Sequence, residues 1–199
     1  HLGNSNVVAK GFIDAFGQTG TSQNMTNSAG FYAFGSALKA GSMWLLGKPG
    51  AYSQIDGRNS NQSGLTASDR ESKIAGQSSG KNVGLWLKES TLRTSRGDLY
   101  LTGVGGDGKT KLHGIWLDKT TVNAKNGSLD ILGESGSGGR RMYGVFARNS
   151  DLKAQQHAIL NGRSMDSPLG SNNIGIKIND SSQLTSPDIL LHGEGGNSK

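Results

Sequence analysis

A pattern of glycine, an apolar residue, any residue and a second apolar residue returns at a near-constant interval, and it limits what this chain can become. It reads Gly84-Leu85-Trp86-Leu87, Gly114-Ile115-Trp116-Leu117, Gly144-Val145-Phe146-Ala147 and Gly175-Ile176-Lys177-Ile178, with starts 30, 30 and 31 residues apart. A lone apolar residue follows at a fixed offset in each unit: Leu92, Val122, Leu152 and Leu184. A second alternating cluster then closes on glycine, as in Leu99-Tyr100-Leu101-Thr102-Gly103 and Leu129-Asp130-Ile131-Leu132-Gly133. Ala158 to Gly162 and Ile189 to Gly193 repeat it. Small residues (Thr94, Ala124, Ala154, Ser186) recur between the clusters, where a tight corner leaves little room.

Within each station the alternation has a period of two, the geometry of a strand. Three short strands cannot bury an apolar face alone, but successive units stacked in register can. The expected fold is therefore a right-handed parallel β-helix, all-β, with three short strands per coil of about 30 residues and rungs about 4.8 Å apart. Five to six coils are expected. A βαβ arrangement is disfavoured because no crossover helix is visible, and a propeller needs longer blades. Gly30-Phe31-Tyr32-Ala33-Phe34, Leu38 and Met43-Trp44-Leu45-Leu46-Gly47 fit one further coil, and Ile13 to Gly17 fits the last station of the coil before it. Residues 84–199 are the regular part of a single segment spanning 1–199, a fragment of something larger. The 36 residues 48–83 replace a linker of 10 to 12 and read as a partial coil plus a loop.

Composition excludes several chemistries. With no cysteine among 199 residues, disulfides, thiolate metal sites and cysteine nucleophiles are out. The chain carries a net charge of +6, and its 21 Lys and Arg are dispersed, so nucleic acid is not an expected partner. No apolar run is long enough for a transmembrane helix, and His1-Leu2-Gly3-Asn4 has no signal-peptide character. Metals and cofactors are not expected: the four His residues lack ligand spacing, and the acids Asp98, Asp118, Asp130, Asp151, Asp180 and Asp188 fall at different offsets in their units. Gly103 to Thr110 has glycines like a phosphate loop but neither its spacing nor a following helix, and it reads as a turn between rungs, as does Ser135 to Gly139.

The repeat form resembles the exoproteins of the filamentous-haemagglutinin type, including high-molecular-weight adhesins exported by two-partner secretion. Residues 84–199 carry the resemblance clearly and 11–47 loosely; similar repeats occur in autotransporter passengers. It implies a β-helix passed through an outer-membrane secretion pore to the surface of a Gram-negative bacterium, or released from it. There it would act in adhesion to a host-cell receptor, a glycan or other bacteria. The alternatives are a polysaccharide lyase or glycoside hydrolase on the same scaffold, and an inert stalk of a toxin-delivery filament.

Alternation also locates a candidate site. If Leu85 and Leu87 face inward, Trp86 faces outward, and in-register stacking aligns Tyr32, Trp86, Trp116 and Phe146 on one wall, followed by Lys177. Such a column is either a contact surface or a second small core under residues 48–83. Beside it, Lys88, Asp118, Arg148 and Asn179, then Glu89, Lys119, Asn149 and Asp180, read as ion pairs across rungs.

Overall fold

The computed structural model describes residues 1–18, 27–48, 81–108, 110–167 and 172–197. Strands β1 (Leu2–Gly3), β2 (Asn6–Val8) and β3 (Phe12–Gln18) form a first coil, and β4 (Asn27–Phe34), β5 (Ala37–Ala40) and β6 (Ser42–Lys48) a second. The third is β7 (Lys81–Lys88), β8 (Thr91–Thr94) and β9 (Leu99–Val104); the fourth is β10 (Ile115–Asp118), β11 (Thr121–Ala124) and β12 (Leu129–Glu134). A fifth holds β13 (Met142–Arg148), β14 (Asp151–Ala154) and β15 (His157–Arg163), and the last β16 (Asn173–Asn179), β17 (Gln183–Thr185) and β18 (Asp188–Glu194). Every strand pairs in parallel with its counterparts in the adjacent coils, giving three six-stranded sheets. The protein is an all-β parallel solenoid of three strands per coil, as the repeat requires. No described helix is long and apolar enough to cross a membrane.

Register follows the sequence repeat without slippage. Leu87 pairs with Leu117, Leu117 with Ala147 and Ala147 with Ile178. A slip of one residue would turn each inward side chain out, so the buried face fixes the pairing. The interior is an apolar stack in which Leu85, Leu87, Leu92, Leu99 and Leu101 of the third coil are fully buried against Ile115, Leu117, Val122, Leu129 and Ile131 of the fourth. Each leucine so buried contributes roughly 1.5–3 kcal/mol relative to exposure.

Two of the three corners in each coil use different chemistry. Between the first and second sheets a left-handed residue recurs: Asn4, Glu89, Lys119, Asn149 and Asp180 have φ of 47 to 52°, and Gly35 takes the same place. Ser36, Ser90 and Ser150 come next, and each hydroxyl donates to the carbonyl two residues back, at 3.0, 2.8 and 2.9 Å. The same oxygens accept from the coil before: Ser36 N–H donates to Ser90 Oγ, and Thr120 N–H to Ser150 Oγ. Each serine thus satisfies a backbone group that the sharp bend takes out of the ladder.

Between the third sheet and the next coil's first sheet, two glycine columns meet. A Cβ on Gly17, Gly47, Gly103, Gly133 or Gly162 would collide with the carbonyl of Gly30, Gly84, Gly114, Gly144 or Gly175 respectively. Backbone lies on backbone there, which is why the repeat unit opens and closes on glycine.

Two expectations need comment. The first coil includes β1 and β2 as well as the β3 station that the sequence pattern indicated; strands of two and three residues are too short to show alternation. Of the 48–83 segment, residues 49–80 lie outside the described residues; Lys48 ends β6 and Lys81 begins β7.

The glycine contact gives a direct test. Gly133→Ala should cost roughly 3 kcal/mol or more, a fall in Tm on the order of 10 °C. Gly11→Ala, whose Cβ would meet nothing within 4 Å, should leave the Tm unchanged; equal melting of the two variants would contradict the backbone contact.

Candidate functional site

The four ring residues picked out by alternation are neighbours on the outer wall of the first sheet. Tyr32 pairs with Trp86, Trp86 with Trp116 and Trp116 with Phe146. Ring centroids are 5.0, 4.7 and 5.9 Å apart along the column, and the two indoles are nearly coplanar in orientation, at 4°. His1 lies over Tyr32 at 5.0 Å. The two indoles thus stack face to face, while Tyr32 and Phe146 lie tilted against them at 48 and 37°.

Two further rings join that parity alone does not select. His113 stacks on Tyr143 at 4.8 Å and 7°, meets Trp116 edge-on at 5.2 Å, and Tyr143 packs on Phe146 at 5.0 Å. Both residues sit just before the glycine of their unit, where the wall meets the backbone crossing. Their only sequence signal is the shared position thirty residues apart. A second outward strip, on the third sheet, also escaped the sequence reading: Asp14, Trp44, Tyr100, Asp130, Ile159 and Leu190 stand in register.

Lysines close over the rings. Lys81 Nζ is 5.1 Å from the Trp86 centroid and 5.2 Å from that of Trp116; Lys111 Nζ is 5.8 Å from Trp116, and Lys177 Nζ 5.1 Å from Tyr143. Such ammonium–ring contacts are worth about 0.5–1 kcal/mol when exposed and more when desolvated. Burial, and then the neighbouring Lys111 and Lys88, lower the pKa of Lys81. Burial, with Glu89 adding to it, raises that of Tyr32.

Several polar atoms under this layer are enclosed without a partner. Among the described residues the indole N–H groups of Trp86 and Trp116 and Nδ1 of His113 make no hydrogen bond. Trp116 is 5 % exposed and His113 1 %. Burial, followed by the fields of Lys111, Lys81 and Lys177, pushes the His113 pKa down to about 3.

The expected ion pairs beside the column are present in part. Arg148 binds the buried Asp118 through Nε at 3.0 Å and Nη2 at 2.7 Å, a bidentate fork across one rung. Glu89 lies 3.9 Å from both Lys88 and Lys119, at the limit of pairing.

One cluster elsewhere has the residue types of nucleophilic chemistry. At the start of the third-sheet strands, Ser128 Oγ is 3.1 Å from His157 Nδ1, and His157 Nε2 is 3.9 Å from Asp130 Oδ1. The second distance exceeds a hydrogen bond, and the serine is buried. Asp98 holds the cluster together, accepting Ser128 N–H at 2.8 Å and the Tyr100 hydroxyl at 3.1 Å. Burial raises the pKa of Asp130, opposed by His157 and aided by Asp98. Among the described residues no three His, Asp or Glu side chains converge as metal ligands.

Comparison with known proteins gives no matching family model, no matching curated protein and no matching solved structure.

His113 makes acid stability a readout of the site. Its folded pKa is below the ordinary 6.5, so between about pH 6.5 and pH 3 the unfolded chain binds the extra proton and the fold loses stability as pH falls. Melting wild type and His113→Phe from pH 8 to pH 4 should show the wild type losing ground below about pH 6.5. Parallel curves would mean that the imidazole is not held neutral.

Proposed function

We propose that this chain is a non-catalytic segment of a bacterial secreted or surface-exposed adhesin that attaches through the outer wall of its first sheet. The observation that carries the reading is the in-register ladder Tyr32–Trp86–Trp116–Phe146 on the outer wall, with lysine ammoniums beside it. Rings and lysine ammoniums held together in one column offer a ligand apolar area and positive charge at the same place.

The resemblance to two-partner-secretion exoproteins supports the same reading, and with it a place at or beyond the Gram-negative outer membrane after passage through a secretion pore. The cysteine-free composition suits such export. A host-cell receptor, a glycan or another bacterium is the partner class.

The test keeps an aromatic ring at each place in the column while cutting back the two indoles. Trp86→Phe with Trp116→Phe should melt within a few degrees of wild type and lose at least about fivefold in adherence to host cells or a glycan array, the effect of roughly 1 kcal/mol at a contact centre. Unchanged adherence would make the wall an inert stalk. Turnover of an acidic polysaccharide, abolished by one carboxylate substitution, would replace adhesion by lyase or hydrolase chemistry.

A further inference from the structure

The chain is basic overall, with a net charge of +6, yet its walls differ in sign. The strands of the third sheet hold the carboxylates of Asp14, Asp130, Glu134, Asp188 and Glu194, and Asp98 stands just before β9. All take outward places: Asp14 and Asp130 lie in the column of Trp44 and Tyr100, and the others fall two residues before it or four after. The Lys and Arg side chains of these strands are Lys48, which is buried, and Arg163, which lies 3.9 Å from Glu134 and 3.4 Å from Glu194. Phe16, Trp44, Tyr100, Leu132, Ile159 and Leu190 put an outward apolar side chain in every coil of the same wall, and Phe16, Tyr100 and Leu190 are 39 to 58 % exposed. An exposed apolar patch of this kind marks a contact surface.

The first-sheet wall has the opposite character. Among the described residues its strands hold one carboxylate, Asp118, and both oxygens of that group are taken by the Arg148 fork. Lys81, Lys111 and Arg141 recur at the offset of thirty, and Lys177 continues the ring column. None of these four is in an ion pair among the described residues. Lys81, Lys111 and Lys177 lay their ammoniums over the rings, so the wall meets its surroundings through positive charge.

Walls of one solenoid share one rung spacing, about 4.8 Å, so charges on one wall stay in step with charges on another over the whole height. A soluble polyanion would answer only the basic wall, and a polycation only the acidic one. Another molecule of this chain answers both. We propose that the acidic third-sheet wall of one copy docks on the basic first-sheet wall of a second copy of this chain. This rests on the adhesive reading above and names the partner of the same wall. Six rungs by about seven residues at roughly 3.3 Å give each wall on the order of 600 Å². The pair buries about 1,200 Å² in total, at the lower edge of specific interfaces. Contact between single copies is therefore weak and reversible, and salt screens it. Because the two surfaces that meet are different, a docked pair keeps one free wall of each sign and association extends beyond two copies.

Sedimentation of the whole chain tests this. At low salt the mean mass of the wild type should rise with concentration past that of a dimer, and at about 0.5 M salt it should return to the monomer. Asp14→Lys/Asp188→Lys disables the acidic wall and Lys111→Glu/Arg141→Glu the basic one, and each variant alone should stay monomeric. Mixed in equal amounts they retain one intact wall of each kind, and should form a one-to-one dimer and nothing larger. Three results would overturn the proposal: a wild type that stays monomeric at low salt, a variant that associates alone as the wild type does, or a mixture that stays monomeric although circular dichroism shows both variants folded. A monomeric wild type that binds polylysine through the acidic wall would give that wall to a cationic polymer instead. If the wild type stays monomeric while adherence is lost in the tryptophan variants, the adhesive reading stands and this one falls. If the mixed dimer forms while adherence to host cells or a glycan array does not depend on the tryptophans, the reverse holds.

Discussion

Once per coil the chain must carry its backbone across the backbone of the next coil through a gap that admits no Cβ. Two glycine columns, from Gly17 to Gly162 and from Gly30 to Gly175, make that crossing possible. Because the crossing happens at one place in the unit, it sets the phase of everything after it: three residues on from each opening glycine is always an inward position, and two on always an outward one. The period of thirty is thus a steric requirement as well as a pattern of apolar residues. An inserted residue between the glycines would move a side chain into the crossing and turn the following strand inside out.

From that phase the walls acquire their character. A solenoid multiplies whatever a position carries: a serine becomes a ladder of hydroxyls, a carboxylate opposite a guanidinium becomes the Asp118–Arg148 fork, and an aromatic residue becomes a stack. Stacking has a consequence for binding. The two indoles, piled at rung spacing, cover one face of each other, so they offer less flat area than two separate exposed tryptophans would. Where a column repeats one sign of charge, as at Lys81, Lys111 and Arg141, the fold accumulates a field, and none of the three is in an ion pair among the described residues.

Much of this was readable from the sequence because alternation and period determine which way a side chain points once the strands are known. Leu87 inward and Trp86 outward, the pairing of Trp86 with Trp116, and the ion-pair strip beside them all follow from that. Other features were not legible, for definite reasons. The glycines signalled the repeat, but their purpose depends on two sheets converging, which no local pattern records. His113 and Tyr143 sit next to that crossing, where inward and outward lose their meaning, so their stack needed coordinates. The lysine column was hidden by looking for charge runs along the chain, whereas the fold assembles charges thirty residues apart. The strands β1 and β2 are too short for a period, and the reading of 48–83 as partial coil and loop falls mostly on residues outside those described.

The account depends on one claim, that residues thirty apart are immediate neighbours across parallel strands. The absence of native cysteine allows a clean measurement. Arg93 and Asn123 pair directly on the outer face of the second sheet, and Thr121 stands two residues off that register. In-register positions across a parallel pair are about 4.8 Å apart, within the Cα separation that a disulfide spans, whereas the offset pair exceeds the limit of roughly 7 Å. Under mild oxidation the folded Arg93→Cys/Asn123→Cys variant should cross-link nearly completely within the monomer, and Arg93→Cys/Thr121→Cys should remain reduced. Equal cross-linking of both pairs, or none in the first, would contradict the thirty-residue register and the walls built on it.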